Sequence, residues 1–267
     1  MSLIEALCLA AVAALAGAIN AIAGGGTLLT FPALLFFQTA PIVANATSTV
    51  ALVIGTAGSI FGFRQHLRAV WPWLMRFALV SLAGGWLGSV LLTRTSDQAF
   101  VKLVPFLILF ATLLFLAQGA FRRFAGFGGN NGEVQAPHRH VGVAVIFQFA
   151  VSVYGGYFGA GIGILMLASL GFLGLRDIHE MNALKNALGS LINLVAAAWF
   201  IACGLIDWPK AGVMTVGALA GYFIGAYFSQ RIPQAATRRL ITGIGFTITA
   251  VMFYRSYAED KVGRFET

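Results

Sequence analysis

Charge is what this chain lacks. Only 10% of its 267 residues are Asp, Glu, Lys or Arg, where a water-facing domain carries ~25%. So few charges cannot cover a solvated surface, which excludes soluble enzymes and nucleic-acid modules. Cysteine is nearly absent too. Cys8 and Cys203 both lie in apolar stretches, so no disulfide framework is possible and both read as small apolar residues. Acids are scarce and peripheral: Glu5, Asp97, Glu133, Asp177, Glu180, Asp207, Glu259, Asp260 and Glu266 all fall near segment ends, in loops or in the tail. Cation pumps and proton-driven carriers commonly keep a carboxylate in mid-membrane. None is evident here, which argues for an anionic substrate and against a metal-cation carrier.

What the chain has is apolar surface and glycine. It is 59% hydrophobic with 32 glycines and a mean hydropathy of +0.86. A membrane span needs ~20 apolar residues, which leaves room for about eight helices with short loops. The expected class is an all-α, polytopic helical membrane protein whose partners are the bilayer and a small solute. The net charge of +8 suits cytoplasmic loops better than nucleic acid, and no nucleic-acid partner is expected. A homo-oligomer is compatible with this composition and not required by it. Met1–Glu5 lacks a basic leader and runs straight into apolar residues, as a first membrane segment does.

Hydropathy predicts segments at Leu3–Ala23, Thr27–Phe37, Ile42–Phe63, Trp73–Leu92, Val101–Phe121, Val141–Phe158, Ile164–Gly174, Met181–Cys203, Ala211–Phe228 and Leu240–Tyr254. Two of them, Thr27–Phe37 and Ile164–Gly174, are too short to span, and each follows a glycine-rich break. The hydrophilic stretch Arg122–His140, with its Gly, Asn and Pro137, reads as a flexible connector. The chain thus divides into a first transmembrane repeat (1–121), the connector (122–140), a second repeat (141–258) and a polar tail (259–267).

The halves resemble each other. A gapless shift of 137 positions superimposes Gly24 on Gly161, Gly26 on Gly163, and Asn45-Ala46 on Asn182-Ala183. It also pairs Trp71-Pro72 with Trp208-Pro209, Leu82-Ala83-Gly84 with Leu219-Ala220-Gly221, and Arg94 with Arg231. Duplication with short, Gly-interrupted segments at matching positions points to a secondary transporter. If each break turns the chain back, each half crosses three times. Ten basic residues, Arg64, Arg68, Arg122, Arg123, Arg139, Arg176, Lys185, Arg231, Arg238 and Arg239, then collect on one side. Six, Arg94, Lys102, Lys210, Arg255, Lys261 and Arg264, collect on the other. Positive-inside asymmetry then predicts inverted repeats with the N-terminus outside. Four crossings per half divide the charges almost evenly.

Two features are candidates for binding. A half-helix starting after a glycine break aims its N–H groups and positive dipole end into the membrane interior, which suits an anion. Gly24, Gly25, Gly26 and Thr27 would supply one such end, and Gly161 and Gly163 the other. The bland alternative is close helix packing through small residues. Second, Asn182, Lys185, Asn186, Gly189 and Asn193 share one helix face, with Asn45, Ser48, Thr49, Leu52 and Thr56 at the matching first-half positions. A polar face inside an apolar helix belongs at the bundle interior, either lining a path or gluing helices. Lys185 has two readings: it snorkels to the interface, or it neutralises the anion. No nucleophile–base pair, cofactor motif or metal-ligand spacing is visible. His138 and His140 flank Arg139 in the connector, and Trp71-Pro72-Trp73 reads as an interfacial anchor.

The stretch Asn20-Ala-Ile-Ala-Gly24-Gly25-Gly26-Thr27-Leu-Leu-Thr-Phe-Pro32, followed by Asn45-Ala46-Thr47, resembles the first signature of the TauE/SafE sulfite exporter family. Gly155-Gly156-Tyr-Phe-Gly159-Ala-Gly161-Ile-Gly163 with Asn182-Ala-Leu-Lys185-Asn186 is similar to its second. The resemblance runs from about Leu3 to Tyr254. It implies a multi-pass bacterial plasma-membrane transporter of sulfite, sulfonates or related organic anions, with no cofactor. The residues expected to bind substrate are Asn20, Gly24, Gly25, Gly26, Thr27, Asn45, Ser48, Thr49, Gly161, Gly163, Asn182, Lys185, Asn186 and Asn193. The second copy has Ser169 where the first has Pro32, so the halves are not interchangeable. An anion channel would use the same glycine-lined, acid-free path.

Overall fold

A computed structural model describes residues 1–22, 25–62, 67, 69–124, 141–171, 178–228, 239 and 242–254. Those residues form helices and connections and no strand. In chain order the helices are α1 (Leu3–Ile22), α2 (Thr27–Phe36), α3 (Pro41–Gly62), α4 (Trp71–Arg94) and α5 (Asp97–Phe124). The second half follows with α6 (Val141–Tyr157), α7 (Ile162–Gly171), α8 (Ile178–Ala202), α9 (Trp208–Phe228) and α10 (Thr242–Tyr254). Four stretches among the described residues are long and apolar enough to cross a bilayer: Leu3–Ala21, Ala69–Arg94, Asp97–Leu114 and Glu180–Ala202.

Local chemistry explains the starts. Ser2 and Glu5 cap α1 reciprocally, each side chain accepting the other's backbone N–H at 3.2–3.3 Å. Pro41 opens α3, and Pro72 sits in the first turn of α4, where a missing N–H matters least. Ser96 Oγ caps α5 through Ala99 N–H, and Asp207 Oδ1 caps α9 through Lys210 N–H. The last three residues of α5 extend into the stretch read as connector. The rest of it, with His138, Arg139 and His140, lies outside the described residues, as do Arg64 and Arg68. Cys8 and Cys203 are both exposed on the surface of the bundle.

Two helix pairs hold the bundle together, and small residues make both possible. α1 and α9 run side by side in the same direction. A Cβ at Gly217 would strike the carbonyl oxygen of Ala10, one at Gly221 that of Ala14, and one at Gly225 would lie 2.6 Å from Ala18. α4 and α6 pair in the same way. Gly84 faces Ser152 and Phe149, Gly88 faces Val153 and Tyr157, and Gly156 faces Gly85. Lipid tails are as apolar as leucine, so close backbone approach supplies the packing energy here. Under the 137-residue offset α1 corresponds to α6 and α9 to α4, so each pair maps onto the other. α3 packs on both α8 and α9, and α8 on both α3 and α4, which completes the same exchange.

The ends of the helices settle direction. Glu5 of α1, Phe37 and Thr39 after α2, and Asp207 and Lys210 of α9 meet at one end of the bundle. At the other end Val70 and Leu74 of α4, Ala144 of α6, and Met181 and Leu184 of α8 share one apolar cluster. The first half therefore enters from the Glu5 end and the second from the opposite end. α2 returns to the end from which α1 entered, as a re-entrant hairpin does.

Candidate functional site

The first hairpin turns deep inside the bundle. Gly25 adopts φ +99°, a left-handed conformation that glycine takes without steric penalty. The next residue, Gly26, donates its N–H to Asn20 Oδ1 at 3.0 Å, and Asn20 Nδ2 donates to the Tyr222 hydroxyl at 2.7 Å. A Cβ at Gly26 would come within 2.8 Å of the Ala16 carbonyl, so α2 starts beside Ala16 and Asn20. At 1.5 Å per residue that level is roughly 17–22 Å along α1 from Glu5, inside a hydrocarbon layer ~30 Å thick.

Around the start of α2 the hydroxyls form a chain. Thr30 Oγ1 donates to Gly26 O at 3.2 Å and lies 2.6 Å from Ser48 Oγ. With the Thr30 proton so used, Ser48 supplies the one between the two hydroxyls. Thr49 Oγ1 donates to Asn45 O at 2.9 Å. Asn45 is 1% exposed, and its Nδ2 reaches across to Tyr157 O at the end of α6, 3.2 Å away. Asn45 Oδ1 is buried without a partner among the described residues.

The second break has the same plan built from different contacts. Phe158 and Gly159 donate their N–H groups to Tyr154 O at 2.9 and 3.2 Å, and Gly159 at φ +81° closes α6 in the left-handed form. The Tyr154 hydroxyl donates to Ala160 O at 2.7 Å, pinning the link. Gly161, at φ +77°, accepts from Ile164 N–H at 3.0 Å and opens α7. Gly163 stands directly beside α8, where its Cβ position lies 3.4 Å from Lys185 Cδ.

Lys185 is thus brought to the first turn of α7. Its Nζ donates to Asn182 Oδ1 at 3.3 Å, and among the described residues no carboxylate pairs with it. Asn182, Lys185, Asn186, Gly189 and Asn193 are all half-buried. Asn186 and Asn193 make no side-chain hydrogen bond among the described residues. Chemically this is a helix N-terminus, with its partial positive charge, flanked by an ammonium and neutral amides.

The structure brings Asn20, Gly25, Gly26 and Thr27 together around one half-helix start, with Ser48 joined to it through Thr30. Asn182 and Lys185 join Gly161 and Gly163 at the other. Gly24 lies outside the described residues. Thr49 and Asn45 sit on α3, and Asn45 hydrogen-bonds the end of α6. Sequence reasoning missed Thr30, Tyr222 and Tyr157. A single threonine in an apolar run is no signal by itself; Thr30 gains its place from Ser48 on the next helix. The two tyrosines are supplied by other helices, and no local pattern marks them.

A helical bundle with two re-entrant hairpins entering from opposite ends, their broken tips beside polar helix faces, is the architecture of a membrane transporter. The sulfite exporter TauE/SafE family model matches residues 9–252, nearly the whole chain. This chain belongs to that family. It is similar to a probable membrane transporter protein of Haemophilus influenzae, 30% identical over 243 residues that cover 88% of this chain and 89% of that one. It is also similar to the probable membrane transporter protein YfcA of Escherichia coli, 27% identical over 254 residues, 93% of this chain and 90% of the relative. A probable membrane transporter protein, ORF9, of Sinorhizobium is 25% identical over 249 residues. No solved structure matches. The chain is a multi-pass membrane transporter of the bacterial plasma membrane.

Proposed function

We propose that this transporter is a secondary carrier of a small anion, sulfite or an organosulfonate, working without a cofactor and without chemical conversion of its cargo. One observation carries the reading: the Lys185 side chain lies against Gly163 in the first turn of α7, with a neutral amide and, among the described residues, no acid as its partner. An uncompensated ammonium beside a helix N-terminus is unfavourable when the site is empty and favourable when an anion lies between them. The substrate is then held by the N–H groups of α7, the Lys185 ammonium and the half-buried amides of α8. The pseudo-equivalent start of α2, with Asn20, Thr27, Thr30 and Ser48, receives it on the other side of the path.

The test is flux in proteoliposomes across sulfite, thiosulfate, sulfoacetate and taurine. Saturable uptake, competed by one or more of these anions and trans-stimulated by the same anion, is expected. Flux far above ~10³ ions per second without saturation would make the protein a channel and end the carrier reading.

The charge asymmetry of the loops also supports an orientation with the connector in the cytoplasm and the Glu5 end outside. A cysteine placed at Asn131, in a variant lacking Cys8 and Cys203, is expected to react with impermeant maleimide only in inside-out vesicles. Labelling in right-side-out vesicles would reverse the orientation.

A further inference from the structure

Lys210 is the most heavily contacted charged group among the described residues, and the binding site does not use it. Its Nζ lies 3.1 Å from Glu5 Oε1 in the first turn of α1 and 3.7 Å from Asp207 Oδ2 on its own helix. It also donates to Phe37 O at 3.1 Å and to Thr39 Oγ1 at 2.9 Å, in the turn between α2 and α3. Asp207 in turn gives its backbone N–H to Thr47 Oγ1 on α3, at 3.0 Å. One ammonium therefore ties together both arms of the first hairpin, the start of α3 and the start of α9. The side chains of Lys210 and Glu5 are only 13% and 16% exposed, so water does not readily replace these contacts.

The duplication shows what is special about this cluster. The residues equivalent to Lys210, Glu5, Asp207 and Thr47 at the other end are Trp73, Gly142, Val70 and Leu184. None can form an ion pair. Val70 and Leu184 instead share an apolar cluster with the start of α6, and Gly142 has nothing within 4 Å of its Cβ position. Among the described residues these matching positions thus meet by different physics, by charge at one end and by apolar contact at the other. Opening an apolar contact in a carrier requires no partner exchange for a charge, whereas moving the turn between α2 and α3 at the Glu5 end parts Lys210 from Phe37 O and Thr39 Oγ1, while Glu5 and Asp207 stay with it on the packed α1–α9 pair.

We infer that Lys210, held in place by Glu5 and Asp207, is a latch on the turn between α2 and α3 that closes the transport path at the Glu5 end and must release Phe37 and Thr39 each time the protein opens there. The inference rests on the carrier reading for its role in turnover, while the latch itself is tested independently of any substrate. In a Cys8→Ala, Cys203→Ala background, Thr49→Cys places a reporter on the half-buried face of α3. Impermeant maleimide is applied from the Glu5 end, that face being identified with Ser2→Cys. Lys210→Met is expected to raise the labelling rate of Thr49→Cys about tenfold, as the closed population falls. An unchanged rate overturns the latch.

A second arm does not depend on Lys210→Met folding well. Gln38→Cys, exposed in the turn between α2 and α3, with Lys210→Cys, joined by a short bismaleimide whose thioether bonds sulfite does not reopen, is expected to bind anion from the opposite side but carry out no turnover. Each single cysteine variant treated alike should still turn over. Cross-linked protein that turns over as fast as uncross-linked protein overturns the latch. If Lys210→Met changes labelling while flux in the parent proves unsaturable, the latch stands and the carrier reading fails.

Discussion

Lys185→Met is expected to insert and fold as the parent does and to bind its anion roughly 10- to 150-fold more weakly, the loss of one charge-assisted hydrogen bond worth about 1.5–3 kcal/mol. Folding should be spared because Lys185 makes a single side-chain hydrogen bond, to Asn182 Oδ1, and a methionine fills the same stem volume against Gly163. Lys185→Arg should retain part of the affinity, since the charge persists but the larger guanidinium must fit beside the first turn of α7. Saturation kinetics in proteoliposomes, with the folded fraction measured in parallel, separates binding from insertion. Parental rate and affinity in the methionine variant would make Lys185 an interfacial anchor and leave the anion to the backbone N–H groups alone.

The other large effect is on folding. In Gly221→Val the new Cβ would overlap the Ala14 carbonyl oxygen, a backbone atom that cannot turn aside. α1 and α9 must then separate, and overpacking of this kind costs about 3 kcal/mol or more when the obstacle is rigid. In the bilayer no hydrophobic gain offsets the lost contact, because lipid replaces helix at equal polarity. The variant should give little monodisperse protein in detergent and a sharply lowered unfolding midpoint. Gly212→Val is the control on the same helix, since no atom lies within 4 Å of its Cβ position. Equal stability of the two variants would show that the α1–α9 contact is looser than described.

Much of the architecture was legible because membrane helices are specified locally. Each apolar run of about twenty residues announces a helix whatever it packs against, and the two glycine breaks stand out against those runs. α2 starts at Thr27 as the hydropathy predicts and α7 at Ile162, two residues before the predicted Ile164, while α4 and α9 start at the Trp-Pro dipeptides, two and three residues before the predicted Trp73 and Ala211. The polar face of α8 was legible for the same reason, since four polar residues at helical spacing are improbable against lipid. Thr30 was missed because one hydroxyl in an apolar helix is ordinary. Its meaning comes from Ser48, 2.6 Å away on the next helix.

By itself the sequence determined the class of protein and the family, and it suggested the two related halves and their breaks. All of these rest on patterns within a few turns of one helix or on a fixed offset between halves. Only the tertiary structure decided which helices pair and what meets at the breaks. Every helix carries small residues, so nothing local distinguishes α1 against α9 from other pairings; the choice depends on whether two surfaces fit along their whole length. The same is true of Glu5 and Lys210, which stand far apart in the chain and meet because α1 and α9 begin at the same end. Lys185 makes the point at the binding site. Its residue type and helix face were readable, but its place beside Gly163 depends on how far α7 folds back, a distance fixed by packing against α8.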